Sequence, residues 1–145
     1  MRDGGTIMVE AWWWPDGPTT LSSDDEIDAM IDAMIAAGLD HSVASLTFPD
    51  QGRLPSGLPD HELRIAALGS VGGVQYDGIV DYESGQWYVP GANGDRTPVE
   101  YRHLGKAEQW PADSIISVDV VRDVVKSFLK TRGGRPEAPD WFAWS

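Results

Sequence analysis

His61-Glu62 opens like a helical zinc-protease motif, in which histidines four residues apart bind the metal and the glutamate acts as general base. The position four after His61 is Ile65, so the second ligand is missing, and Leu63, Ile65 and Ala67 alternate as a strand does. His41 and His103 share no ligand spacing with His61 or with each other, which favours surface or hydrogen-bonded histidines over a metal site. Gly69-Ser70-Val71-Gly72-Gly73 offers backbone amides to a phosphate. Neither a Lys-Ser/Thr pair nor a helix start follows, which leaves a turn or bulge. No Gly-x-Ser-x-Gly elbow exists, and zero cysteines exclude a thiol nucleophile, a disulfide framework and Cys-ligated metal. The carboxylate pairs Asp60/Glu62, Asp77/Asp81 and Asp81/Glu83 have the residue types for acid–base work, which needs two carboxylates across a cleft with separated pKa values. With 23 Asp and Glu in 145 residues, such pairs arise by chance. Asp24 to Asp32 lacks calcium-loop spacing and reads as an acidic helix start. No cofactor, metal or catalytic residue is expected.

What remains is the chemistry of a surface. Against the 23 acidic residues stand 11 Lys and Arg, a balance of −12 that repels nucleic-acid backbones and anionic lipid and favours a basic protein or a cation. Neither direct nucleic-acid binding nor membrane binding is expected. Acidity also serves plain solubility, so charge alone does not choose. Seven Trp supply anchors that an acidic rim could surround, an arrangement suited to steered protein binding. Met1-Arg2-Asp3-Gly4-Gly5 runs into a segment containing Glu10 rather than an apolar leader, and the uncharged centre from Ile65 to Tyr76 is too short and glycine-rich to span a bilayer. A soluble, cytoplasmic chain with one domain over residues 1–145 is the expectation, with no indication of oligomeric state.

The elements that must carry this surface follow from periodicity. Thr6 to Trp14 reads as a strand, stopped by Pro15-Asp16-Gly17-Pro18. Ser23 with Glu26 makes a capping box, and Ile27, Met30, Ile31, Met34 and Ile35 form one apolar helical stripe that Gly38 ends. Val43 to Phe48 is a strand, and a Pro/Gly-rich connection runs from Pro49 to Pro59. Strands are expected over His61 to Leu68 and Val71 to Tyr76, with Asp77-Gly78 as the hairpin turn before Ile79 to Tyr82. Gln86 to Val89 and Pro98 to Arg102 flank Gly91-Ala92-Asn93-Gly94-Asp95 as another hairpin, and Glu108 to Pro111 forms an edge segment. A second helix, capped by Ser117, runs from Val118 to Lys130 on the stripe Val121, Val124, Val125, Phe128 and Leu129, and Gly133-Gly134 stops it. The aromatic tail through Trp141 and Trp144 is expected to fold back over the sheet. The class is α+β: an antiparallel sheet of about five to seven strands with two amphipathic helices packed against it.

Trp110-Pro111-Ala112-Asp113-Ser114-Ile115-Ile116-Ser117, the aliphatic helix ending Phe128-Leu129-Lys130-Thr131, and then Gly133-Gly134-Arg135-Pro136 and Trp141 form a distinctive closing pattern. It resembles that of the family numbered one among the immunity proteins of bacterial polymorphic toxin systems, common in actinobacteria. Val9-Glu10-Ala11-Trp12-Trp13, Leu63-Arg64-Ile65, Trp87-Tyr88 and Val99-Glu100-Tyr101 fall in the family's order, so the likeness spans roughly Met8 to Trp141. The resemblance implies a small cytoplasmic protein without enzymatic activity that binds and neutralises a cognate secreted toxin. It further implies a toxin that is often nucleic-acid-directed, including DNA cytosine deaminases. A basic nucleic-acid cleft is what an acidic inhibitor could steer into and occlude.

Two surfaces compete for that contact. The first carries Asp77, Asp81, Tyr82 and Glu83 and is preferred because it sets an aromatic among acids on a loop-like edge. The second is the outer helix face with Asp25, Asp28 and Asp32. Arg135, Pro136 and Trp141 read as structural, a helix stop and an aromatic plug. Beside the inhibitor stand a small hydrolase or lyase, using His61 with Glu62 or Asp60 under the Pro49 to Pro59 loop, and an acidic adaptor.

Overall fold

The computed structural model describes residues 8–91 and 97–144. In chain order the elements are β1 (Val9–Trp12), β2 (Thr19–Leu21), α1 (Asp24–Ala37), a 3-10 turn (Leu39–His41), β3 (Val43–Thr47), β4 (Glu62–Leu68), β5 (Val71–Val80), β6 (Glu83–Tyr88), β7 (Val99–His103), β8 (Lys106–Trp110), β9 (Ile116–Ser117), α2 (Val118–Thr131) and β10 (Phe142–Ala143). The expected α+β class holds. One eight-stranded sheet runs in the order β10-β6-β5-β4-β3-β1-β2, with β9 added beside β5, and β7 and β8 pair as a separate ribbon. Neighbouring strands are antiparallel throughout.

Both helices begin as their caps dictate. Ser23 Oγ accepts the Glu26 N–H at 3.2 Å, while the Glu26 carboxylate reaches back to the Ser22 N–H at 2.8 Å. Ser117 Oγ accepts the Val120 N–H at the start of α2. Ile27, Met30, Ile31 and Met34 of α1, and Val121, Val124, Val125 and Phe128 of α2, are buried against one side of the sheet. That side consists of Val9 and Ala11, Ala44 and Leu46, Leu63, Ile65 and Ala67, and Val74 and Tyr76, the alternate residues of four strands. At the end of α2 it is Arg132, at φ 58°, that takes the left-handed position, with Gly133 following at φ 109°.

Among the described residues, neither α-helix lies on the opposite side of the sheet. The β7–β8 ribbon covers part of it, packing Tyr101 and Trp110 on Val43 and Ala66. Trp110 lies so close to Gly73 that a Cβ there would stand 3.0 Å from the indole ring, so the ribbon sits where the sheet has no side chain.

Several expectations need correction. Asp77-Gly78 makes no turn; β5 continues through it, and the reversal comes at Asp81-Tyr82, between the cross-strand partners Val80 and Glu83. Gly78 is instead a packing glycine, because a Cβ there would lie 2.7 Å from the Tyr76 hydroxyl. The segments on either side of Gly91 do not pair with each other, since β6 joins β5 and β7 joins β8. Ala92 to Asp95 of that expected hairpin, and Thr6 and Ile7 of the first expected strand, lie outside the described residues. Within them the first strand ends at Trp12, and β2 forms after the Pro15 to Pro18 break. The tail does fold back: Phe142 and Ala143 pair with Tyr88 and Trp87, and the Trp141 ring meets Tyr76 edge-on with centroids 6.5 Å apart.

Candidate partner-binding surface

Strand alternation sends Trp12, Ser45, Thr47, Glu62, Arg64, Gln75, Asp77, Ile79 and Gln86 to the side away from the helices. Register then fixes neighbours: Trp12 lies opposite Ser45, Ser45 opposite Arg64, Glu62 opposite Asp77, and Asp77 opposite Gln86. The β7–β8 ribbon leaves much of this side uncovered. There a groove of about 580 Å³ runs from Trp12 past Glu62 and Asp77 to Ile79 and Ser84, walled by Leu54, Leu58 and Pro59. A smaller recess of about 260 Å³ continues along Arg64, Gln86, Glu108 and Trp144, sharing Glu62 and Asp77.

The wall is built, not loose. Arg53 ties its own loop together, donating from Nη1 to the Gly57 carbonyl at 3.1 Å and from Nη2 to the Pro49 carbonyl at 3.0 Å. The Leu54 N–H donates to the Leu58 carbonyl at 2.8 Å, which sets both leucines on the groove side.

The electrostatics are one-sided. Among the described residues Arg64 is the one lysine or arginine lining groove and recess, and it is already used: Nη1 donates to Glu62 at 3.0 Å and Nη2 to Glu108. Burial works against its charge, but the hydrogen bond to Glu108 and the charges of Glu62 and Glu108 outweigh that and raise its pKa. Glu62 also accepts a hydrogen bond from Ser45. Asp77 accepts from the Gln86 amide at 3.2 Å and, among the described residues, has no cation within ion-pair distance.

The four residues singled out in the sequence divide in space. Asp81, Tyr82 and Glu83 share the tip of the β5–β6 hairpin, whereas Asp77 lies back along β5 inside the groove. Asp81 and Tyr82 both have left-handed backbone, at φ 52° and 70°, and the Tyr82 side chain is wholly exposed. The competing helix surface is partly paired: Arg122 bridges Asp28 and Asp32 and Lys126 donates to Asp28 at 2.9 Å, while Asp25 has no ion pair among the described residues. Leu54, Leu58 and Ile79 were not singled out by sequence, although Ile79 shares Asp77's parity along β5 and so must face the same way; Trp12 stood only among the tryptophans considered as anchors.

Of the two carboxylates considered as partners for His61, the structure brings up Asp60 and not Glu62. His61 lies on the helix side, 4% exposed, between Phe48 and Phe128, while Glu62 points to the other side. Its Nε2 accepts the Phe48 N–H at 2.8 Å and its Nδ1 faces Asp60 at 3.1 Å, so Nδ1 carries the proton and both nitrogens are occupied. His103 Nε2 donates to the Trp12 carbonyl at 3.0 Å, and His41 packs against Trp14 with the rings tilted by 45° and centroids 4.4 Å apart. Among the described residues no His, Asp and Glu cluster of three or more could hold a metal.

The closing motif packs as a unit. The Arg135 guanidinium lies 5.2 Å from the centre of the Trp87 ring and 5.7 Å from that of Trp141. Trp141 Nε1 donates to the Pro136 carbonyl at 2.8 Å, and the Tyr76 hydroxyl to the Gly133 carbonyl at 2.5 Å. The family model described as Immunity protein Imm1 matches residues 15–143. The chain belongs to the Imm1 family. As an Imm1 member it is an immunity protein, a class whose partner is a cognate toxin. The matched span takes in the hairpin tip, the Arg135–Trp141 unit and the groove apart from Trp12. No curated protein matches this Imm1 chain. Among its described residues no helix is long and apolar enough to cross a membrane.

Proposed function

We propose that this chain, acting as one immunity-protein domain in the cytoplasm, neutralises its toxin by steric and electrostatic occlusion, with Asp77, Asp81, Tyr82 and Glu83 in the contact. The observation that carries the contact is Tyr82. A large aromatic stands entirely in solvent, on left-handed backbone that disfavours non-glycine residues, between carboxylates with no cation partner among the described residues. Strain of this kind persists where function requires it, and an aromatic ringed by like charge is a ready anchor for a basic partner. The net charge of −12 supports a toxin with a basic cleft, as a nucleic-acid-directed enzyme such as a DNA cytosine deaminase would have. In this reading the chain performs no catalysis.

Purification of the tagged protein from its native host, washed at rising salt, tests the proposal. One stoichiometric toxin domain that weakens at high salt is expected. Replacing Asp81, Tyr82 and Glu83 together by Ala should weaken that toxin's binding by at least about 2 kcal/mol, the scale of an interface hot spot. Unchanged affinity in a folded triple variant would move the contact elsewhere.

A further inference from the structure

The groove beside the hairpin tip combines two features that seldom share a surface without a partner. Trp12, Leu54, Leu58 and Ile79 are 41%, 47%, 64% and 51% exposed, and all four line the same depression. Clustered exposed apolar side chains of this size mark interaction surfaces. The floor beneath them is acidic: Glu62 and Asp77 are direct cross-strand partners, a like-charge pairing that costs the sheet stability. Arg64 relieves Glu62 but leaves Asp77 without a cation among the described residues. An apolar wall over an unneutralised carboxylate floor matches one kind of side chain, a long aliphatic stem with a cationic head.

We propose that this groove takes an arginine of a basic toxin segment, its stem on Ile79 and Leu58, its guanidinium on Asp77 and Glu62, with the Trp12 ring at the groove's end. Two neighbouring carboxylates suit the guanidinium fork better than a point-charge ammonium, and an indole face adds cation–π attraction. The toxin as occupant rests on the neutralisation reading above; the groove's preference for arginine does not. The tip and the groove then form one continuous footprint, since Ile79 and Ser84 sit just behind Asp81 to Glu83.

The test uses the full chain, isotope-labelled and titrated at physiological salt with capped hexa-arginine, hexa-lysine and hexa-glutamate peptides. Saturable shifts centred on the Trp12 indole and on the Asp77 and Ile79 amides are expected, with hexa-arginine binding more tightly than hexa-lysine and hexa-glutamate not at all. Asp77→Asn and Ile79→Ser, both at exposed positions, should each weaken hexa-arginine by about fivefold or more, a change of about 1 kcal/mol. Asp25→Asn, which removes the same charge from exposed α1, should change it less than twofold. Shifts scattered over all acidic positions, or equal losses for Asp77→Asn and Asp25→Asn, would overturn the groove site. With the co-purified toxin the two readings separate. A toxin held equally by wild type and by the Asp77→Asn and Ile79→Ser variants overturns the groove contact and leaves neutralisation standing. Groove-specific peptide shifts without any retained toxin overturn neutralisation instead.

Discussion

Asp81 and Tyr82 occupy the two central positions of a two-residue hairpin turn with positive φ at both, the geometry that Asn-Gly adopts at least cost. Replacing the pair by Asn-Gly should therefore stabilise the protein by about 1 kcal/mol, read as a rise in urea midpoint at constant slope. If Tyr82 is an anchor, the same variant should bind toxin more weakly although it is more stable, the opposition expected where function retains local strain. A variant no more stable than wild type would mean the turn is relaxed as it stands, and the argument from strain to contact would fail. His61 shows the converse case. Its sequence context suggested chemistry, yet its two nitrogens are used to fix the Phe48 backbone and to meet Asp60, and its ring fills space beside Phe128. One-residue alternation separates it from Glu62, which is why adjacency in sequence did not become adjacency in space.

Among the elements, β5 and the end of α2 are joined by one buried hydroxyl. Burial, and after it the nearby Asp60 carboxylate, push Tyr76 up to about 12, with Arg135 acting in the opposite direction. The folded state therefore holds this proton more tightly than the unfolded chain, where tyrosine titrates near 10. The stability from Tyr76 is complete below about pH 10 and is lost as pH rises through about 12, roughly 2–3 kcal/mol in all. Tyr76→Phe should remove that share of the alkaline loss measured by urea unfolding at successive pH values. An identical alkaline profile would place the titration on other groups, such as Tyr88 and Tyr101, both also raised by burial.

The helices and this closing unit were legible because their signals are local: caps, a stripe repeating every three or four residues, a Gly-Gly-Arg-Pro run. The strands were legible as strands but less so as neighbours. Asp77-Gly78 has turn chemistry, and only the Tyr76 ring lying over Gly78 shows why the glycine is there. The three-residue β2 and the two-residue β9 and β10 are too short to leave a period. The groove was invisible for a deeper reason. It depends on the registers β1–β3, β3–β4, β4–β5 and β5–β6, which bring Trp12, Glu62, Asp77 and Ser84 together across 72 positions of sequence, and no local pattern encodes a register.

Across the described residues, four cations are held in internal ion pairs, one of them Lys126 with Asp28. Arg64 clamps Glu62 and Glu108, Arg102 clamps Asp40 and Glu100, and Arg122 clamps Asp28 and Asp32. Such exposed or half-exposed pairs add little stability each, so their larger effect is on the field. Asp77, Asp81 and Glu83 are among the carboxylates left without an ion pair among the described residues, so the groove and the hairpin tip keep their negative charge. A field of this shape acts first on encounter with a basic partner and only afterwards on the docked contacts. Stopped-flow association with the co-purified toxin should accordingly slow by at least about tenfold between low and high ionic strength, while dissociation changes far less. Asp77→Asn or the hairpin-tip triple variant should flatten that salt dependence more than Asp25→Asn, because charges nearest the proposed contact act most strongly on the encounter. An association rate indifferent to salt would leave the −12 as a matter of solubility alone, and the toxin would then have to be held by the apolar anchors without electrostatic guidance.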